Sequence, residues 1–281
     1  MIGVRSILGH HICTEKVNWK MHAAFLLGVT LCIFPVVINY ITFSRSTGYT
    51  IQIFEPYILV MSTSYQYVAL ILGLLLLISD APFINNRTAY EILRVGKKSW
   101  FTERAIYINV LCGSYFLVMF IVCVVMAILK GNVYFENEWS STMHLLAERQ
   151  PLFATSEFKL FFPFPQLVSE LTPCCAAVCS FILTFLYGAV LSMIVLLFNS
   201  ISRKSLGIIV SLGIHIAGYI ITINGPMYFP QQLSLLSCAM LAYYFNPLYK
   251  LNFFFTIITF LAAWFAMWYC IQWNSKKIDF K

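Results

Sequence analysis

Reactive side chains are scarce in this chain of 281 residues, and their spacing excludes most catalytic machinery. Asp80 and Asp279 are the only aspartates, so a paired-Asp metal site of the prenyltransferase kind cannot be built. No HExxH, no GxSxG and no glutamate pair on an apolar run occurs, which removes the zinc-protease and serine-hydrolase patterns. Gly96-Lys97-Lys98-Ser99 matches the tail of a phosphate-binding loop, but Glu91 stands where the upstream glycine belongs and no strand precedes it. Without that glycine-rich turn there is no nest of N–H groups to cradle a nucleotide. Cys174, Cys175 and Cys179 cluster at a spacing that suits neither a CxxC zinc pair nor a redox motif. Cys32, Cys112, Cys123 and Cys270 lie in apolar runs, where Cys behaves as a small apolar residue. Among the histidines His10, His11 and His22 fall before or at the first apolar run and His144 in a polar stretch. His215 alone sits mid-run. An ionisable group at that depth is a functional candidate, so His215 is the pore candidate, against the alternative of a neutral imidazole bonded to a Ser or Thr. No catalytic residue and no metal site is expected, and the chain reads as a non-enzyme.

The elements that carry these groups are set by composition. Hydrophobic residues make up 60% of the chain and charged ones 10%, too few charges to cover a soluble surface. Apolar runs of about twenty residues match a hydrocarbon layer of about 30 Å. Six spans are expected, at about 22–43, 57–79, 105–129, 174–198, 205–224 and 251–273, in an all-α multi-pass protein of the cell membrane. None holds Asp, Glu, Lys or Arg in its interior. The first 20 residues carry Arg5, Glu15, Lys16 and Lys20 and lack an apolar h-region, so no signal peptide is read there and the first span is expected to be retained. With the N-terminus inside, thirteen basic residues fall on inner segments, including Lys97, Lys98, Arg203 and Lys204. Five fall on outer ones, namely Arg45, Lys130, Arg149, Lys159 and Lys250. That asymmetry places both termini in the cytoplasm. The net charge of +7 is then a topology and lipid-surface signal and does not point to nucleic acid.

Between the spans the sequence predicts an interfacial helix over 1–21, a kink at Pro35 and an outer loop over 130–173. In that loop "KLFFPFPQLV" reads as chain lying along the membrane. An outer hairpin over 226–250 is expected, because "LSLLSCAMLAYYF" is too short to span and too apolar for a free loop. In the fourth span Ala176, Ser180, Thr184, Gly188 and Ser192 recur every fourth residue. Such a ridge of small side chains lets helix backbones approach closely, either within one bundle, at a subunit interface, or along a translocation path. Without a carboxylate at mid-depth, ion-coupled transport finds no group to run on.

Residues 83–101 form the most polar stretch. At 100° per residue Ala89, Leu93, Gly96 and Trp100 share one arc, with Ile92 at its edge, and Arg87, Glu91, Arg94 and Lys98 share the opposite one. Arg87 and Glu91 are spaced i,i+4, and Glu91 and Arg94 i,i+3, so the polar face is braced. A basic face alone suits anionic lipid, but Glu91 and Glu103 add nothing to a lipid anchor, and their presence favours docking to a cytoplasmic protein.

Asp80, Pro82, Leu93, Arg94, Gly96, Lys97, Trp100 and Tyr107 reproduce a string common in bacterial permeases: Asp-x-Pro ending span two, Leu-Arg-x-Gly-Lys-x-x-Trp, then a Tyr opening span three. With the six-span layout, the N-terminal helix and the outer hairpin, the chain resembles the membrane subunits of ABC-2-type ABC transporters. The motif covers about 28 residues; the architecture covers nearly the whole chain. The resemblance implies that 83–101 is a coupling helix, with Arg87, Glu91, Arg94, Lys97, Lys98 and Trp100 as ATPase-docking contacts. It also implies a separate ABC ATPase subunit that binds ATP and Mg, no cofactor on this chain, and a second permease subunit, identical or sister. Spans offering aromatics and small residues but no charge suit an amphiphilic cargo such as a bacteriocin-like peptide. The competing reading is a non-transporting immunity or sensor component that docks a cytoplasmic partner.

Overall fold

In hydrocarbon a backbone must satisfy its own hydrogen bonds, and long apolar runs do so as helices. The computed structural model describes residues 19–84, 88–149, 151–202, 205–225, 228, 230–246 and 248–275. Most of the expected N-terminal helix, Arg87, Arg203, Lys204 and the basic C-terminal residues lie outside these. The described chain is all-helical apart from one two-stranded sheet, and five helices are long and apolar enough to cross a membrane. They are α1 (Trp19–Thr47), α5 (Lys97–Lys130), α9 (Pro173–Ser202), α10 (Leu206–Asn224) and α12 (Phe253–Asn274). Between α1 and α5 come α2 (Glu55–Ser62), α3 (Ser64–Leu77) and the short α4 (Thr88–Val95). Between α5 and α9 lie α6 (Ser141–His144), α7 (Leu152–Ser156) and α8 (Pro165–Glu170), and α11 (Leu235–Ala239) lies between α10 and α12.

The second span departs from expectation. Instead of one helix over 57–79, α2 and α3 meet at 90° around Thr63. Ser62, Thr63 and Ser64 put three hydroxyls in a row, and two of them bond back to carbonyls of the preceding turn, Ser62 to Ile58 at 2.7 Å and Thr63 to Leu59 at 2.9 Å. Such back-bonding competes with the helical ladder. All eight residues of α2 are buried, so this piece lies within the protein. The first span is altered differently: a π-helical turn over Gly28–Ile33 directly precedes the α-helical stretch that opens with Phe34 and Pro35.

The segment over 130–173 packs against the rest of the chain through several of its described residues. Met143, Leu146, Phe162, Phe164 and Leu167 are buried, so the two sides of "KLFFPFPQLV" alternate into a packed cap. The strand Val133–Tyr134 (β2) pairs in parallel with Ile51–Gln52 (β1), fastening this cap to the loop after α1. We call this the cap end, and the opposite one the α4 end.

At the centre stands α9, which packs against α12, α10 and α5. Its ridge residues Ala176, Ser180, Thr184, Gly188 and Ser192 are all buried inside the single chain. A Cβ on Gly188 would lie 2.6 Å from the Phe116 ring, so the close approach needs glycine. In contrast Phe254, Phe255, Ile258, Phe265 and Trp273 on α12 are exposed, the surface that lipid would cover.

Candidate functional site

The segment expected as one amphipathic helix is two. Gly96 takes φ 82° and ψ 151°, a conformation open essentially to glycine alone, and it separates α4 from the first turn of α5. Trp100 therefore belongs to the long helix and is fully buried. Across this joint the Trp100 indole N–H donates to Glu91 Oε2 at 3.1 Å and the Arg104 guanidinium donates to the same oxygen at 3.2 Å. Arg104 also stacks over the Trp100 ring, 4.9 Å from its centroid. Arg104 is 2% exposed and Glu91 17%.

This brace turns α4 from its expected orientation. Thr88, Glu91, Ile92 and Val95 face the protein, while Ala89, Tyr90, Leu93 and Arg94 face out. Tyr90 and Leu93 are 75% and 84% exposed. Glu91 and Trp100, expected as docking contacts, are thus inward-facing supports. Arg94 and Lys98 are exposed and Lys97 half-buried. A half-buried ion pair gives little net stability, since desolvation offsets the Coulomb gain; it fixes which face of α4 looks outward.

Immediately before α4 the turn after α3 is held from three directions. Lys20 on α1 pairs with Asp80 at 2.5 Å. The Asn199 amide on α9 donates to the carbonyls of Ala81 at 2.8 Å and Ser79 at 3.3 Å. Phe83 meets Tyr107 of α5 edge-on at 5.5 Å. Asp80 and Tyr107 thus hold the turn after α3, Gly96 and Trp100 shape the joint between α4 and α5, and Leu93 and Arg94 lie on the outer face of α4.

His215 on α10 is fully buried. Its Nδ1 is hydrogen-bonded to the Tyr187 hydroxyl at 2.7 Å, a tyrosine in place of the Ser or Thr considered for it. Its Nε2 has no hydrogen-bond partner among the described residues. The small-residue ridge runs nearby: Thr184 accepts from the Tyr67 hydroxyl at 2.9 Å.

At the cap end the sequence reading missed Glu55. This carboxylate, fully buried, opens α2. Its Oε2 accepts from the Tyr40 hydroxyl, the Gln52 N–H and the Ser140 hydroxyl, each at 2.8 Å, and its Oε1 accepts from the Ser140 N–H at 2.7 Å. One side chain thus ties α1, β1 and the cap together. Glu followed by Pro56 is a helix-start signal, but nothing local announces its partners.

Comparison of the chain with protein-family models, curated proteins and solved structures yields no match.

Proposed function

We propose that this chain is the permease subunit of an ABC-2-type exporter, a multi-pass protein of the cell membrane with both termini cytoplasmic. It works as a pair of such subunits with a separate ATPase that binds ATP and Mg. The α4 end is then the cytoplasmic end and the cap end the outer one. The observation that carries the reading is the outward face of α4. Tyr90, Leu93 and Arg94 project together from a short helix, and that helix is fixed from behind by the Glu91, Trp100 and Arg104 brace. A helix meant only to float in the lipid interface needs no such support; one that must receive a push does. Closure of the ATPase pair would be converted into rocking of the bundles. The cargo is amphiphilic, in keeping with apolar and aromatic spans.

The test is a pull-down of the tagged chain from mild detergent followed by an ATPase assay of what accompanies it. A vanadate-sensitive ATPase is expected to co-purify with the native chain and to be lost from the Arg94→Glu/Lys98→Glu double variant. If no ATPase accompanies the native chain, and the double variant loses only affinity for anionic lipid, the exporter reading falls and a non-transporting component takes its place.

A further inference from the structure

A helix leaves its first N–H groups without partners, and one side chain here serves such a group together with the carbonyls of a neighbouring turn. The Asn199 side chain lies near the end of α9 and is 8% exposed. Its amide nitrogen donates to the carbonyls of Ser79 and Ala81, in the turn that leaves α3. Its Oδ1 accepts the Gly207 N–H, in the first turn of α10, at 2.8 Å. A Cβ on Gly207 would lie 2.4 Å from the Val195 carbonyl oxygen, so α10 begins pressed against the backbone of α9. The turn that Asn199 holds follows α3 directly, on the α4 side.

The other end of α10 is fastened as well. Thr222, in its last turn, is hydrogen-bonded to Ser237 at 2.7 Å and to Ser234 at 3.1 Å. Both serines lie at α11, and Ser234 donates to the Gly218 carbonyl at 2.9 Å. An unbroken chain of polar contacts and one rigid helix of 19 residues, about 28 Å long, therefore joins the approach to α4 with the hairpin at the opposite face.

We propose that Asn199 is the joint through which displacement of α4 reaches α10 and, through Thr222, the outer hairpin. It is a positioning residue of the transport cycle, and this assignment rests on the exporter reading. Asn is the residue type the place requires. It needs two donors for one element and an acceptor for another on a short side chain. Asp would keep the acceptor for Gly207 while turning an oxygen against two carbonyls.

The test uses nitroxide labels on the complex co-purified with its ATPase, at Tyr90→Cys on α4 or Ile223→Cys in the last turn of α10, in a background without accessible native cysteines. Line shapes are recorded with and without ATP plus vanadate. Both positions are expected to respond in the chain with Asn199. With Asn199→Asp or Asn199→Leu the response at 90 is expected to persist while that at 223 falls by about five-fold or more. If Asn199 merely caps α10, Asn199→Asp will respond at 223 like the unaltered chain, and the joint is overturned. If neither position responds even with Asn199 in place, the exporter reading itself fails and the joint with it.

Discussion

Two hydrogen-bonded carboxylates, Glu55 at the cap end and Glu91 at the α4 end, are handled in opposite ways. Glu55 is fully buried, and among the described residues it meets neutral donors: a hydroxyl from α1, a backbone N–H from β1, and a hydroxyl and a backbone N–H from the cap. Glu91 keeps a sixth of its side chain exposed, and among the described residues it meets the Arg104 guanidinium and the Trp100 indole N–H, both on α5. The first arrangement converges four donors from separate pieces of chain on one point, so it locks. The second ties two helices across a glycine joint and leaves Tyr90 and Leu93 on the outer face of α4 exposed. On the exporter reading, one end is built to stay closed and the other to be steered.

The sharpest way to break that contrast is Glu55→Ala. It strands the Ser140 and Gln52 N–H groups and the Tyr40 hydroxyl in the interior, at about 1–3 kcal/mol each. A large fall in Tm in detergent is expected, with residues 130–173 becoming protease-sensitive before the helices do; an unchanged protease pattern would mean that Glu55 does not hold the cap. Smaller, Glu91→Gln removes the charge opposite Arg104 and is expected to cost about 1.5–3 kcal/mol. Hydrogen exchange should rise in α4 and stay level in the cap, and a rise in both would refute independent ends. Smaller again, Gly96→Ala meets no steric neighbour at its Cβ, so its cost is backbone conformation alone, about 1–2 kcal/mol. The smallest effect on stability belongs to Arg94→Glu/Lys98→Glu, within about 0.5 kcal/mol because both side chains are exposed. Its effect should appear only in loss of the partner, and a large drop in Tm would place these residues in the fold rather than at a docking face.

How much of this was legible depends on range. The helices that could cross a membrane follow from run length. The break at Thr63 was not read, because the apolar pattern of 57–79 is continuous and the only signal was three consecutive hydroxyl residues. The face of α4 was misjudged for a definite reason. Its phase was carried through Gly96 as though one helix continued, so Trp100 was counted with Leu93, although Trp100 belongs to α5. Arg104, on α5, then draws Glu91 inward, which no helical wheel over 83–101 contains. Glu55 shows the limit most plainly: its acceptor role is set by Tyr40 fifteen residues before it and Ser140 eighty-five after, a separation at which sequence pattern has no voice.

The unbroken length of α5 has a mechanical consequence. Thirty-four residues without interruption make a beam of about 51 Å at 1.5 Å per residue, well beyond a hydrocarbon layer of about 30 Å. One tip carries Trp100 and Arg104, which grip Glu91; at the other tip Arg45 of α1 donates to the Lys130 carbonyl. A tilt of about 10° about its middle would swing each tip through about 4 Å, in opposite directions. On the exporter reading, a push on α4 large enough to tilt α5 as a body would reach the cap as a counter-movement, whereas local loosening of α4 would not.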